Sequence, residues 1–219
     1  MQYRQWVKEY ETAHSMIPTV GRNRPSSGLI RFDDYLKENN LQLAGPILDL
    51  GCGNGRNTFY FATKGYKVYA LDFIPSVLNR IAEVKHPNVK VIKHSLPRRL
   101  PFKSASIGLV LDFITTASLN TAQLKQMRLE IHRVLRPGGF FLTYCLSDKN
   151  SYHAALKRMP RQKFVVMPNG IRDRIWNPHQ LLRFYNNLIP QFVYIRHKNE
   201  QVGDWFGPLE MILALFRKE

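Results

Sequence analysis

Between residues 46 and 145 the chain alternates short apolar runs with stretches whose apolar positions repeat at helical spacing. The apolar runs are PILDL (46–50), KVYAL (67–71), VKVI (89–92), IGLVLD (107–112) and FFLTYC (140–145). The helical stretches between them cover residues 56–64, 75–85 and 120–135. Strands that are apolar on both faces and separated by helices predict a parallel sheet covered by helices on both sides.

The segment before this alternation carries two helical patterns. One helix is predicted over residues 28–39, with Ser26 or Ser27 as its N-cap. Nearer the N-terminus, aromatic residues recur three and four positions apart, which places them on one helical face: Tyr3, Trp6 and Tyr10. Such a face can dock on the rest of the domain, or it can cover a pocket. Residues 1–45 are therefore interpreted as an N-terminal helical segment that can act as a lid.

The segment after the alternation changes pattern. Residues 177–188 predict a helix, and residues 191–198 and 210–218 predict two strands joined by an irregular segment. With no helix between them, these two strands predict an antiparallel hairpin that closes one edge of the sheet. The predicted fold is therefore one α/β domain over residues 46–219, with a doubly wound, seven-stranded, mostly parallel sheet. An insertion at about 146–176 is expected to border the substrate.

A glycine-rich turn follows the first predicted strand, in ILDLGCGNGRNT (47–58). Three glycines at alternate positions, Gly51, Gly53 and Gly55, indicate that the backbone passes close to a ligand. A dinucleotide fingerprint would have a third glycine where Arg56 stands. The next strand ends at Asp72, where a carboxylate can accept hydrogen bonds from both ribose hydroxyls. The motif thus predicts an adenosine-like ligand rather than a pyrophosphate.

Three segments resemble class I S-adenosylmethionine-dependent methyltransferases, in that family's order and spacing. They are ILDLGCGNGRNTFYFATKGYKVYALDF, LPFKSASIGLVLDF and MRLEIHRVLRPGGFFLTYC, and together they span about half of the chain, residues 46–145. The stretch GRNTFYFATKGYKVYALD is especially similar to a subgroup that includes tellurite-resistance methyltransferases. The resemblance implies a Rossmann-like fold and S-adenosyl-L-methionine as cofactor, with S-adenosyl-L-homocysteine as product.

The resemblance also implies roles for individual residues. Asp49 would order the loop near the methionine amino group, and Asp72 would bind the ribose. Phe73 would pack on the adenine, while Asp112 and Phe113 would face the methionine end and the substrate. The implied cofactor-binding residues are Asp49, Gly51, Cys52, Gly53, Asn54, Gly55, Asp72, Phe73, Ser95, Leu96, Asp112 and Phe113.

The chain departs from the family after the third predicted strand. The family usually has an Asp there that accepts the adenine amino group, whereas this chain has His94, Ser95 and Leu96. Because hydrogen bonds to ionised groups are stronger, a weakened or backbone-supplied adenine contact is expected. No catalytic residue is implied: His153, in the insertion, is only a weak candidate for a base, and no metal site is predicted.

Positive charge dominates the composition, with 32 Lys and Arg residues against 16 acidic ones and a formal net charge of +16. The run from Lys85 to Lys103 holds six basic residues and no acid, and residues 148–175 hold seven basic and two acidic ones. Such a field attracts nucleic acid, although a solvated basic face is the simpler interpretation. Nucleic acid is therefore an alternative partner through residues 85–103 and 148–175.

Other features narrow the class of protein. A hydrophobic content of 44% excludes a largely disordered chain, and no apolar run reaches the length of a membrane span. The N-terminus does not read as a signal peptide, and Cys52 and Cys145 are expected to be free thiols of a cytoplasmic protein. The leading hypothesis is in-line methyl transfer to a small-molecule acceptor. The alternatives are methylation of RNA or another polyanion, and a cofactor-binding adaptor without transfer activity.

Overall fold

The protein is described here by a computed structural model that covers residues 2–12, 22–149, 157–159, 164–202 and 205–219. Its strands are β1 (Ile47–Leu50), β2 (Val68–Asp72), β3 (Val89–Lys93), β4 (Ile107–Phe113), β5 (Leu135–Ser147), β6 (Lys157–Met159), β7 (Phe164–Val166), β8 (Arg172–Trp176), β9 (Ile189–Val202) and β10 (Trp205–Arg217). Its helices are α1 (Tyr3–Glu11), α2 (Ser27–Glu38), α3 (Arg56–Ala62), α4 (Pro75–Glu83), α5 (Thr121–Val134) and α6 (Pro178–Phe184), with a 3₁₀ turn at Thr115–Ser118.

The central sheet has the predicted doubly wound order. Its parallel part runs β3-β2-β1-β4-β5, and β10 and then β9 follow in antiparallel orientation beside β5. The chain therefore reverses its direction of winding between β1 and β4, which pair directly. Ligands of open α/β sheets bind at such a switch point, beyond the carboxyl ends of the strands. This geometry places the turn after β1 next to the turns after β2 and β4.

All seven predicted strands are present, and the described part of the chain has ten strands in total. The extra three are β6, β7 and β8, an antiparallel meander within the predicted insertion. Beyond the end of β4, β8 runs parallel to β5 and pairs with Leu146 and Ser147. The meander was missed because β6 and β7 have three residues each, too few to establish a two-residue period, and because the surrounding sequence is basic.

The C-terminal hairpin is present but longer than predicted. Residues expected to form an irregular joint continue both strands, with Glu200 paired to Gly207 and Asn199 to Pro208. Glycine and proline usually interrupt strands, which explains the shorter prediction. Because β10 pairs with β5 only between Met211 and Arg217, Pro208 stands in an edge portion of the strand, where proline is tolerated.

Apolar side chains cover both faces of the sheet, as the continuous apolar runs predicted. On one face α2 packs Leu29 and Phe32 together with Phe61 of α3. On the other face α5 and α6 pack Met127, Ile131, Leu181 and Tyr185. These two layers hold the sheet rigid and leave its carboxyl edge to form a site.

Helix ends follow the predicted capping residues in part. Asn177 caps α6, since its side chain accepts a hydrogen bond from the backbone N–H of His179 at 3.0 Å. The α2 helix begins at Ser27, directly after Ser26, but no side-chain hydrogen bond caps it. Instead the backbone N–H of Ser26 donates to the side chain of Asn57 at 2.9 Å, which ties the start of α2 to α3. The chain before α2 is thereby held close to the glycine-rich turn.

Candidate active site

The glycine-rich turn joins β1 to α3 and is tightly enclosed. Gly51 and Gly53 have positive φ angles of +61° and +52°. A Cβ atom at Gly51 would lie 2.4 Å from the Thr115 hydroxyl, and one at Gly53 would lie 2.3 Å from the Tyr10 hydroxyl. Only glycine fits these positions, because both the backbone conformation and the neighbouring atoms exclude a side chain. The backbone of the turn is therefore approached closely from two sides.

Asp49 supports the turn from beneath. It is buried at the end of β1 and accepts a hydrogen bond from the Thr58 hydroxyl of α3 at 2.7 Å. Burial raises the pKa of Asp49 to about 7, and the Thr58 hydrogen bond opposes this shift. Its side chain thus joins β1 to α3 and does not line the cavity described below.

Asp72, at the carboxyl end of β2, presents a carboxylate beside the turn. Its Oδ1 accepts from the backbone N–H groups of Phe73 at 2.7 Å and Ile74 at 3.0 Å, and its Oδ2 accepts from Gly53 at 3.1 Å. Burial raises the pKa of Asp72, and these backbone hydrogen bonds oppose the shift. A carboxylate accepts about four hydrogen bonds, so one acceptor position remains for a ligand hydroxyl.

The aromatic face of α1 covers this region. The ring of Tyr3 lies 5.3 Å from that of Phe73, and the Trp6 indole N–H donates to the Ser118 hydroxyl at 3.1 Å. The Tyr10 hydroxyl lies against Gly53, and burial, followed by the charge of Asp72, raises the pKa of Tyr10. The three aromatic residues therefore contact the residue after β2, the 3₁₀ turn after β4 and the glycine-rich turn.

A cavity of about 640 Å³ opens between α1, the carboxyl edge of the sheet and the C-terminal hairpin. Around the glycine-rich turn its wall includes Gly51, Arg56, Asp72, Phe73, His94 and Leu96. Farther along the chain its wall includes Phe113, Thr115, Tyr144, Met167, Asp173 and Arg196. This volume lies within the range typical of ligand pockets.

The predicted cofactor residues divide into two groups. Those on the cavity wall are Gly51, Asp72, Phe73, Leu96 and Phe113. The others lie behind the wall or beside it: Asp49, Cys52, Gly53, Asn54, Gly55, Ser95 and Asp112. Cys52 is buried, its backbone N–H donates to the Leu71 carbonyl, and the side chain of Asn54 donates to the carbonyl of Arg22. Gly55 precedes α3, which begins at Arg56.

Asp112 turns away from the cavity. It is buried, and its carboxylate accepts from the backbone N–H of Thr116 at 3.0 Å, from the Thr116 hydroxyl at 2.5 Å and from the Thr143 hydroxyl at 3.3 Å. Burial raises the pKa of Asp112, and the Thr116 hydrogen bonds oppose the shift. The carboxylate thus holds the 3₁₀ turn against β4, and Phe113 is the residue of this pair that reaches the cavity.

Part of the cavity wall was not anticipated from the sequence. Residues before α2 and residues of the hairpin contribute to it: Arg22, Arg24, Pro25, Arg196, Asn199, Glu200, Leu209 and Met211. The Arg22 guanidinium and the Glu200 carboxylate form an ion pair that joins these two segments. Their meeting could not be read from the sequence, because 178 positions separate the partners. The weak catalytic candidate His153 lies outside the described residues.

The basic residues from 85 to 103 lie along the outer edge of the sheet. All six are exposed: Lys85, Lys90, Lys93, Arg98, Arg99 and Lys103. Two of them belong to β3, the edge strand. Within the described part of the chain, every helix is too short or too polar to cross a lipid bilayer.

The sheet order, the glycine-rich turn at the switch point and the acid after β2 define a Rossmann-like methyltransferase domain. Residues 47–139 match the family model of a methyltransferase domain. The chain is similar to class I S-adenosylmethionine-dependent methyltransferases, as its sequence segments predicted.

Two relatives illustrate the sequence similarity, and one solved structure illustrates the shared fold. An uncharacterized methyltransferase of Synechocystis sp. is 31% identical over 140 residues, which cover 64% of this chain and 65% of that protein, just under two thirds of its length. The uncharacterized methyltransferase YodH of Bacillus subtilis is 24% identical over 201 residues, covering 70% of this chain and 84% of that protein. The structure of 1,6-didemethyltoxoflavin-N1-methyltransferase from Burkholderia thailandensis superposes with a TM-score of 0.62 at 19% identity, covering 88% of this chain and 78% of that one.

The family similarity supports S-adenosylmethionine as cofactor, and the residues of the cavity fit it. The spare acceptor position of Asp72 suits a ribose hydroxyl. Phe73, Ile74 and Leu96 supply apolar wall for an adenine ring. The half-buried guanidinium of Arg56 supplies positive charge beside the glycine-rich turn. His94, Ser95 and Leu96 occupy the region where the family has an acidic acceptor for the adenine amino group, and Ser95 does not line the cavity.

Proposed function

We propose that the protein transfers the sulfonium methyl of S-adenosylmethionine to a small-molecule acceptor. The observation that carries this proposal is the single cavity that extends from Asp72 to Asp173 under α1 and the hairpin. A covered cavity of about 640 Å³ suits a cofactor and a small acceptor side by side, whereas a polymer would need an open groove. The Burkholderia neighbour supports the same class of acceptor, because it holds 1,6-didemethyltoxoflavin together with S-adenosylhomocysteine.

The protein's contribution to catalysis would be positioning. The bound cofactor supplies an electrophilic methyl group, so the acceptor needs chiefly to be held in line with the bond that breaks. Asp72 would fix the ribose, Arg56 would attract the cofactor carboxylate, and Phe113 and Thr115 would border the methyl group. Residues 1–45 would act as the lid, with Trp6 and Tyr10 excluding water. A cytoplasmic location is part of the same proposal.

Isothermal titration calorimetry with S-adenosylmethionine tests the cofactor site. We expect 1:1 binding that Asp72→Ala abolishes, because the ribose would lose its acceptor and Gly53 its hydrogen-bond partner. Asp34→Ala is the matched control, since it removes a half-exposed carboxylate of α2 that lies away from the cavity. If wild-type protein gives no heat at high cofactor concentration, the proposed function is wrong.

The two alternative hypotheses stay predictions. A polyanionic substrate requires binding that weakens with salt, and an adaptor requires cofactor binding without release of S-adenosylhomocysteine across a broad set of acceptors. The replacement of the family's acidic residue by His94, Ser95 and Leu96 is what favours the adaptor. Turnover of any acceptor would exclude it.

A further inference from the structure

Asp173 lies in β8, which packs against the 3₁₀ turn that follows β4. The start of α1 holds this strand in place, because the Gln2 side chain hydrogen-bonds both the N–H and the carbonyl of Arg172. Gln2 also donates to the carbonyl of Ser118 in the 3₁₀ turn at 3.3 Å. Asp173 is therefore fixed at the place where the lid segment, the insertion and the end of β4 meet.

The Asp173 carboxylate is buried without compensation. It lines the cavity, its exposed fraction is only 6%, and its Oδ1 has no hydrogen-bond partner among the described residues. Three other buried carboxylates of this region are bonded: Asp49 by Thr58, Asp72 by three backbone N–H groups, and Asp112 by Thr116 and Thr143. The Oδ1 of the half-buried Asp148, next to β8, also lacks a partner, but Asp148 does not line the cavity. Burying a carboxylate without a partner is unfavourable, and such exceptions call for a specific explanation.

The adjacent arginine does not neutralise Asp173. The Arg174 guanidinium lies 4.4 Å from the centroid of the Phe164 ring and donates to the Thr121 hydroxyl at 3.0 Å. Successive side chains of a strand point to opposite faces, so Arg174 is directed away from Asp173. The carboxylate therefore keeps its acceptor capacity for a molecule inside the cavity.

We infer that Asp173 binds the proton-bearing nucleophile of the methyl acceptor and serves as its general base. This inference rests on the proposed function and narrows its substrate class to acceptors whose attacking nitrogen or oxygen carries a proton near neutral pH. A hydrogen bond from the acceptor N–H or O–H to the accessible part of the Asp173 carboxylate gives this group a partner and orients the nucleophile's lone pair. Thiolates and other acceptors without that proton lie outside the inferred class.

The atoms and electrons balance in one transfer. The acceptor's lone pair forms the new bond to the methyl carbon, the bond between sulfur and that carbon breaks, and its electron pair stays on sulfur. The acceptor's proton passes to Asp173, which becomes a neutral carboxylic acid and later releases the proton to solvent. No oxidant, reductant or metal is needed.

The electrostatic surroundings suit this role. Burial raises the pKa of Asp173 to about 7, and no neighbouring charge contributes to the shift. Two elements that pack against β8 carry no ionisable side chain: β7 (Phe164–Val166) and the 3₁₀ turn (Thr115–Ser118). The residues of β5 that pair with β8, Leu146 and Ser147, are not ionisable either. The other ionisable residues of the cavity wall are Tyr10, Arg22, Arg24, Arg56, Asp72, His94, Tyr144, Arg196 and Glu200. A base with this pKa is ionised above pH 7, so activity should fall as the pH drops below 7.

The test uses the full chain and a fixed set of probes: aniline and phenol as acceptors whose attacking atom carries a proton, and thiophenol as an acceptor that ionises readily. Methylated product is measured by mass spectrometry with wild type, Asp173→Asn and the control Asp34→Asn. We expect Asp173→Asn to lower kcat/KM for a proton-bearing probe roughly 100-fold or more and to abolish the acid limb of its pH profile. Any thiophenol methylation and the cofactor affinity should change less than about twofold, as should all values for Asp34→Asn.

Each outcome decides the inference. Equal kcat/KM in wild type and Asp173→Asn overturns it. If cofactor binds but no probe is methylated, saturation-transfer NMR with S-adenosylhomocysteine-loaded protein measures the binding of the probes. Binding that Asp173→Asn weakens at least tenfold supports the inference. Binding that is absent, or that does not depend on Asp173, overturns it. Failure of the cofactor itself to bind is a separate result, because it refutes the proposed function.

Discussion

At the scale of single residues, the site depends on close approaches that only small or polar groups permit. Gly53 shows this most clearly, because a Cβ atom there would collide with the Tyr10 hydroxyl. Asp72 holds the same turn through the Gly53 N–H. Gly53 thus contacts both Tyr10 and Asp72. A substitution at any of these three positions is expected to displace the other two.

Gly53→Ala should lower both stability and cofactor affinity. Left-handed backbone costs a non-glycine residue about 1–2 kcal/mol, and the collision with Tyr10 adds to this cost. Gly65→Ala is a matched control, since Gly65 also has a positive φ (+89°) but an added Cβ there meets nothing within 4 Å. Thermal unfolding and calorimetry should show the larger loss for Gly53→Ala, with partial recovery in Gly53→Ala/Tyr10→Phe. Equal losses for both glycines would mean that the contact with Tyr10 is unimportant.

At the scale of elements, α1 connects three turns that are distant in the sequence. It reaches Phe73 after β2, the glycine-rich turn after β1 and Ser118 after β4. A helix of nine residues is too short to be stable alone, so these contacts determine where it lies. Its position over the cavity supports the proposed role as a lid.

Trp6→Ala should speed the dissociation of S-adenosylmethionine. The substitution removes the ring from the cavity wall together with the hydrogen bond to Ser118, and a loss of about 1.4 kcal/mol corresponds to roughly tenfold in the rate. Surface plasmon resonance measures this rate, and Arg4→Ala, an exposed change on the same helix, is the control. A dissociation rate equal to that of wild type would show that α1 does not retain the cofactor.

At the scale of the whole molecule, the cavity and the exposed lysines of β3 are different surfaces. The cavity lies at the carboxyl edge of the sheet, whereas Lys90 and Lys93 are exposed on the edge strand β3 and do not line it. Lys93 pairs in register with Asp72, and His94 lines the cavity, but the two lysine side chains can be substituted without changing the cavity wall. Binding of nucleic acid and methyl transfer can therefore be tested independently.

Binding of tRNA should be weak, should fall between 50 and 200 mM salt, and should depend on β3. Each phosphate that is neutralised contributes about −0.7 to −0.9 to the slope of log affinity against log salt. Fluorescence anisotropy should show a larger loss of tRNA affinity for Lys90→Glu/Lys93→Glu than for the control Lys125→Glu/Arg183→Glu. The control reverses the same amount of charge at exposed positions of α5 and α6. Cofactor affinity should not change in either variant. Equal losses would contradict a binding face at β3.

The fold was largely predictable because its information is local. Each buried strand of the parallel sheet is a continuous apolar run, and the prediction of the α5 helix over residues 120–135 matches Thr121–Val134 closely. The short strands β6 and β7 escaped prediction because their stability comes from pairing, of β6 with β7 and of β7 with β8, and not from their own sequence. The hairpin was underestimated for a related reason: pairing extends it through Gly207 and Pro208, which read as breaks.

The sequence by itself determined the strands and helices of the parallel sheet, the glycine-rich turn and the position of Asp72 at the end of a strand. Each of these features depends on residues that are close together along the chain. Only the tertiary structure decided which carboxylates face the cavity. Hydrogen bonds to Thr116 and Thr143 hold the Asp112 carboxylate away from the cavity. Asp173 lies on the cavity wall, and its Oδ1 has no hydrogen-bond partner among the described residues. The physical reason is that a side chain's hydrogen-bond partners and burial depend on elements far apart in sequence, which meet only when the sheet is assembled.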